Sequence, residues 1–318
     1  MLLMAFYFVA GVVLLYFGGE GLVRSAGTLG LRFGIGPMVA GLTIIAFATS
    51  APELAVSVNA ALTNTPGLAV GNVVGSNICN IALILGVTAL IRPPRVKEQL
   101  IRRDLLVMVF ATVIVPGFLI DGLLSRFEGA LLVICLFAYV ILTVWQAKKK
   151  TRQAGAVAQK TPEVPFAGTS VGINSLVAIG AIAMLVFGSD LFVRGATQIA
   201  RVIGVAPAVV GLSAAAFGTS LPELTASIIA ARHGHPEMAT GNVIGSNIFN
   251  LLLILGLTAM IRPLKPGGVT LVDIGVMIFV SLLAVILMVT KTRVERREGA
   301  LLVGIYCAYI AWLFGHGG

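Results

Sequence analysis

Residues 34–93 of this chain return at 204–263, at a constant offset of 170 residues, with 34 of the 60 paired positions identical. Apolar composition alone does not produce that level of matching, so the chain is an internal duplication. Gly-Leu-Thr-Ile-Ile-Ala-Phe-Ala-Thr-Ser-Ala-Pro-Glu-Leu from Gly41 is answered by Gly-Leu-Ser-Ala-Ala-Ala-Phe-Gly-Thr-Ser-Leu-Pro-Glu-Leu from Gly211. Gly-Asn-Val-Val-Gly-Ser-Asn-Ile-Cys-Asn from Gly71 is answered by Gly-Asn-Val-Ile-Gly-Ser-Asn-Ile-Phe-Asn from Gly241, and Glu128-Gly-Ala-Leu-Leu-Val recurs at Glu298.

The repeated material is too apolar for water. Of 318 residues, 58% are hydrophobic and 11% charged, with a mean hydropathy of +1.02. Soluble domains carry about 25% charged residues. The solvent that fits is a bilayer, where a span needs about 20 apolar residues. Ten such runs can be read, at roughly 2–22, 37–62, 67–91, 104–121, 127–146, 173–192, 207–231, 238–261, 271–290 and 299–315. The fold class expected is therefore all-α membrane protein, with ten transmembrane helices. The first run has no basic start and no cleavage site, so it reads as a retained span rather than a leader. Cys79, Cys135 and Cys307 lie in apolar runs and make no metal or disulfide spacing.

Between the halves, the stretch 147–172 holds Lys148, Lys149, Lys150 and Arg152 and then Ala, Gln, Thr, Pro and Gly, the composition of a flexible linker. The expected organisation is a first half, 1–146 (spans 1–5), the linker, 147–172, and a second half, 173–318 (spans 6–10). Five spans is an odd number, so the second copy enters the membrane upside down. That makes an inverted-topology repeat, an architecture whose site lies near the midplane. Basic residues fix the orientation. With the N-terminus outside, 17 of the 22 Lys and Arg fall in cytoplasmic loops and 5 outside. Both termini are then expected outside and the linker in the cytoplasm. The net charge of +9 is a topology signal rather than a nucleic-acid footprint.

Glu53 and Glu223 fall in the middle of spans 2 and 7. A charge at the bilayer centre costs at least about 2.5–3.5 kcal/mol, so such a residue normally faces a polar cavity and has a function. Thr49 and Ser50 precede Glu53 on the same face, as Thr219 and Ser220 precede Glu223. Spans 3 and 8 carry stripes at steps of four: Asn72, Ser76 and Asn80, and Asn242, Ser246 and Asn250. Pro52 and Pro222 each remove a helical hydrogen bond to the carbonyl four residues earlier. The carbonyls of Ala48 and Gly218 lose a partner, and those of Ala46 and Ala216 are candidates to turn inward. A kink closed by water or a hydroxyl is the plainer alternative. Together these groups offer a concentrated set of oxygens. Hard cations such as Ca²⁺ and Na⁺ prefer oxygen, and Ca²⁺ takes about six to eight such ligands. No thiolate or His cluster suits Zn²⁺ or Cu⁺.

Thr-Ser-Ala-Pro-Glu and Thr-Ser-Leu-Pro-Glu, each followed by Gly-Ser-Asn-Ile-x-Asn, resemble the two alpha repeats of the sodium/calcium exchanger family, prokaryotic type, within the cation/Ca²⁺ exchanger superfamily. The resemblance covers nearly the whole chain. It implies a secondary active antiporter of the prokaryotic-type plasma (inner) membrane, working by alternating access. One central site would hold Ca²⁺ in one state and Na⁺ in the other. Glu53 and Glu223 would be the anionic ligands, with Thr49, Ser50, Ser76, Thr219, Ser220 and Ser246 supplying hydroxyl or backbone oxygens. Spans 1 and 6 would slide across the core. Sodium-coupled members commonly carry Asp where this chain has Asn250; here Asn80 and Asn250 are both amides, as in the proton-coupled branch. That branch has Gly-Asn-Ala before its glutamate, not Thr-Ser-x-Pro. The motif favours Na⁺, and H⁺/Ca²⁺ antiport is the alternative. No cofactor, nucleic acid or obligatory protein partner is expected; the partners are Ca²⁺, Na⁺ or H⁺ and the lipid bilayer. An intramembrane hydrolase would want a base beside its nucleophile, and His233, His235 and His316 all fall outside the spans. The chain is accordingly not expected to be an enzyme. A channel fits less well than a carrier, because inverted repeats with broken helices suit alternating access.

Overall fold

The computed structural model describes residues 2–94, 99–153, 170–202, 217–290 and 293–316. The linker residues 154–169 and the start of span 7, including Ala216, lie outside them. The described residues are nearly all helical. The first half contributes α1 (Leu2–Arg32), α2 (Pro37–Ala40), a π-helical turn π1 (Gly41–Ile45), α3 (Ala46–Thr49), α4 (Ala51–Leu62) and α5 (Pro66–Ile78). It continues through π2 (Cys79–Leu85), α6 (Gly86–Ile91), α7 (Gln99–Phe118) and α8 (Arg126–Gln153). The second half contributes α9 (Val171–Val202), α10 (Leu221–Arg232), α11 (Pro236–Phe249), π3 (Asn250–Ile254), α12 (Leu255–Ile261), α13 (Leu271–Thr290) and α14 (Arg296–His316).

Among the described residues, seven helices are long and apolar enough to cross a bilayer, or eight if α2–α3 and α4 count as one broken span bent by 42°. Ten spans were expected from the sequence. The two that fall short have identifiable reasons. Arg102, Arg103 and Asp104 fill the first turns of α7 and shorten its apolar run, and span 7 is described only from residue 217.

Two continuous helices form the centre. In an apolar 18-residue stretch of α5–π2–α6 and of α11–π3–α12, 72% and 83% of the residues are buried, against 22–33% in the corresponding stretches of the other span-length helices. Helices covered on all sides must be apolar all round, so any polar residue in them needs an internal partner. Small residues set the spacing. A β-carbon on Gly86 would lie 2.9 Å from the Gly299 carbonyl oxygen, and one on Gly256 would lie 2.8 Å from that of Gly129. These pairs bring α6 against α14 and α12 against α8. Lipid supplies no hydrophobic drive between helices, so such close approach is what holds them.

The α4–α5 and α10–α11 turns match residue for residue. Thr65 N–H donates to the Ala60 carbonyl at 2.8 Å, and His235 N–H to that of Ala230 at 2.9 Å. The preceding residue takes a left-handed backbone in each: Asn64 at φ 65° and Gly234 at φ 89°. Gly and Asn are the residues that adopt this conformation most readily.

At one end of the bundle Leu124 and Leu264 exchange both backbone hydrogen bonds, at 2.8 and 3.0 Å. Their counterparts 170 residues away, Val294 and Pro94, share only the bond from Val294 N–H to the Pro94 carbonyl, at 3.2 Å. The second bond is chemically impossible because proline has no N–H.

Candidate functional site

The two broken helices build the site. Before α4 the backbone leaves helical geometry at Ser50 (φ −79°, ψ 6°), and before α10 at Ser220 (φ −87°, ψ 3°). Proline in the next turn enforces each break. Glu53 and Glu223 thus stand in the first turn of a new helix, where the helix dipole favours negative charge. Both are fully buried.

Ser-x-x-Glu at a helix start normally folds into a local capping box. Here neither serine makes a side-chain cap. Ser50 Oγ donates instead to Oε1 of Glu223 at 3.2 Å, and Ser220 Oγ to Oε1 of Glu53 at 3.3 Å. Each half therefore holds the other half's carboxylate. The threonines cross over as well: Thr49 Oγ1 donates to Asn242 Oδ1 at 3.3 Å, and Thr219 Oγ1 to Asn72 Oδ1 at 3.4 Å. Asn72 Nδ2 in turn donates to the Glu53 carbonyl at 3.2 Å and Ser57 Oγ at 3.0 Å; Asn242 does the same to Glu223 (3.3 Å) and Ser227 (3.0 Å). These two asparagines brace the helices that carry the glutamates, and their side chains are consumed in doing so.

Other buried polar atoms have no partner among the described residues. Glu53 Oε2, Glu223 Oε2, both polar atoms of Asn80, Asn250 Oδ1 and Ser246 Oγ are buried and have no hydrogen-bond partner among the described residues. They belong to one neighbourhood. Ser76 Oγ reaches Glu53 Oε1 at 3.5 Å, and Asn80 and Asn250 follow one turn after Ser76 and Ser246, where the helices widen into π2 and π3. π turns are frequent at functional sites. A buried acceptor without a donor costs roughly 1–3 kcal/mol, more when charged. Buried oxygen acceptors of this kind have the chemistry that suits a hard cation. Among the described residues no three His, Cys, Asp or Glu side chains gather, so a cation held here would need neutral oxygens beside the two carboxylates.

The expected backbone ligands divide. The Ala46 carbonyl accepts the Ser50 N–H at 3.1 Å and the Thr49 hydroxyl at 3.4 Å, and Ala216 lies outside the described residues. The carbonyl of Gly218, deprived of its helical donor by Pro222, accepts the hydroxyl of Ser189 on α9. Sequence reasoning missed Ser189, whose partner is 29 residues away. It also missed that Asn250 Nδ2 donates to Asn77 Oδ1, at 3.4 Å. Asn77 was detectable, since Asn recurs there at Asn247.

Comparison with known proteins decides the family. The sodium/calcium exchanger protein model matches residues 3–145 and again 173–315. The chain belongs to the sodium/calcium exchanger family. This exchanger is 35% identical to the putative antiporter CaxA of Alkalimonas amylolytica over 99% of each chain. It is 34% identical to the sodium/calcium exchanger MaX1 of Methanosarcina acetivorans over 96% of each, and 35% identical to the inner membrane protein YrbG of Escherichia coli, over 99% of this chain and 98% of that one. A solved structure of the sodium-calcium exchanger NCX_Mj, soaked with Na⁺ and Sr²⁺, superposes with a TM-score of 0.83 at 31% identity, covering 98% of both chains. The exchanger is a membrane transporter of the cation/Ca²⁺ exchange type, as its motifs suggested.

Proposed function

We propose that the exchanger moves Ca²⁺ against Na⁺ by alternating access, with Glu53 and Glu223 as the charged ligands of a shared site. The observation that carries this reading is the mutual grip of the two carboxylates by the opposite half's serines, with a free oxygen left on each. Ser50, Ser220, Thr49, Thr219, Ser76, Ser246, Asn80 and Asn250, with the Ala46 and Ala216 carbonyls, complete the proposed set. Two ionised carboxylates neutralise one Ca²⁺. Emptied, the pair would leave two like charges in a low-dielectric interior, so the site returns loaded with Na⁺ or protons. That condition couples the two fluxes.

The proposed frame is ten spans in two inverted halves, 1–146 and 173–318, with the linker cytoplasmic and both termini outside, in a prokaryotic-type plasma membrane. Sidedness supports it. The Leu124–Leu264 contact joins two loops assigned to the outer face, and the Val294–Pro94 contact two loops assigned to the inner face. Packing supports the moving part. α1 lies along α9, with Gly11 against Phe192 and Gly188 against Leu14 and Leu15. Glycine contacts of this kind present smooth backbone surfaces.

In proteoliposomes loaded with Na⁺, Ca²⁺ uptake is expected to follow the Na⁺ gradient and to stop when that gradient is collapsed. Asn250 favours one second reading, H⁺/Ca²⁺ exchange, since an amide there cannot supply the third carboxylate of sodium-coupled relatives. Uptake driven by a proton gradient alone would select it. Asn250→Asp is expected to shift the Na⁺ or pH dependence of uptake. Identical curves would remove this position from ion selection.

A further inference from the structure

At the end of the bundle opposite the Leu124–Leu264 contact, four helix ends meet. α6 finishes at Ile91, α11 starts at Pro236, α13 finishes at Thr290 and α14 starts at Arg296. Between them lies a cavity of about 460 Å³, lined by Arg92, Gly234, Pro236, Glu237 and Arg293 among others. A second cavity of about 490 Å³ shares Arg293 and continues past Glu295 to Arg296 and Arg297. The walls are held together by the Val294–Pro94 backbone bond.

Among the described residues the cleft carries more basic than acidic side chains. Arg92 has no hydrogen-bond or ion-pair partner among the described residues. Its guanidinium lies beside Gly234, where a β-carbon would come within 3.2 Å of Nη1. The carboxylates at the rim already have partners: Glu237 lies 3.4 Å from His235, and Glu295 lies 3.5 Å from Arg293. That leaves the fork of Arg92 and the remaining donors of Arg293 on the first cavity, with Arg296 and Arg297 lining the adjoining one. A planar fork of N–H donors matches the oxygens of a phosphate, often with two parallel bonds. The cleft also sits where apolar spans end, which is the depth of lipid headgroups. Basic pockets between span ends are where anionic headgroups bind.

We propose that this cleft is a binding site for a phosphate group, presented by an anionic lipid headgroup or by a soluble phosphate. Arg92 and Arg293 grip it from opposite walls, and Arg296 and Arg297 add attraction at the mouth. The site is independent of which ion drives exchange.

The test uses the full chain in detergent. Native mass spectrometry would count retained phosphatidylglycerol against phosphatidylcholine, and ³¹P NMR would follow inorganic phosphate. The expected result is preferential retention of phosphatidylglycerol, weakened roughly thirtyfold in Arg92→Ala/Arg293→Ala. Arg262→Ala, the counterpart of Arg92 in the other half, should leave retention unchanged. Glu237→Gln should tighten it, a readout that does not depend on the double variant folding. Binding of inorganic phosphate but not of the lipid, lost in the double variant, would assign the soluble source. The proposal is overturned if neither ligand binds the wild type, or if the double variant binds as the wild type does and Glu237→Gln changes nothing.

Discussion

Replacing Glu53 or Glu223 by Gln is expected to abolish Ca²⁺ transport and to leave a folded protein. Gln keeps the size of the side chain and an oxygen that can accept the serine bond from the opposite half. It removes one of two charges set against a divalent cation. Breaking one partner of a buried charge pair costs about 3–5 kcal/mol, roughly a hundred- to several-thousandfold in affinity. Folding should suffer little, since the variant no longer buries a charge. Two measurements check this: Ca²⁺ flux in proteoliposomes, and the thermal transition followed by size-exclusion chromatography. Wild-type flux in either variant would remove that glutamate from the ion site.

The second large effect is on the scaffold. Gly241→Ala adds one carbon where there is no room for it. That carbon would run into the carbonyl oxygen of Met38 and come within 2.9 Å of the Leu42 nitrogen. Both are backbone atoms at the α2–π1 junction and cannot swing aside. Overpacking of this kind costs about 1–3 kcal/mol. The damage should spread to function, because Asn242 is the next residue and braces Glu223. We expect a lower transition temperature together with reduced transport. Gly275→Ala and Gly304→Ala are the controls. Nothing lies within 4 Å of the added carbon at either site, and both positions are inside helices. They should be neutral, or stabilising by up to about 1 kcal/mol from helix propensity. Equal behaviour of all three variants would show that close approach at Gly241 does not hold the core.

A structural ion pair near the linker shows how far sequence reading reaches. Asp104 is fully buried and paired at 2.9 Å with Arg103, which also donates to Thr143 and Gln146 on α8. The charges of Arg102, Arg103 and Asp104 were visible in the sequence as the edge of a span. The bonds of Arg103 to a helix some 40 residues later were not, because they depend on how α7 and α8 pack.

The same division runs through the whole molecule. The sequence by itself determined the duplication, the apolar spans, the two intramembrane glutamates, the polar stripes beside them and the family. These are properties of period, composition and local motif, and each is set by neighbours along the chain. It also located the helix breaks, since a proline removes a specific bond wherever it stands. What the sequence left open was where each polar group would spend its hydrogen bonds. Ser50 and Ser220 had the spacing of local caps, and Asn72 the spacing of a ligand. Only the tertiary structure sent those serines across to the opposite glutamate, turned Asn72 and Asn242 into braces, and left Asn80, Asn250 Oδ1 and the second carboxylate oxygens without a partner among the described residues. The reason is that a buried donor must find an acceptor, and in this fold the competing acceptors lie about 150–190 residues away on the other repeat.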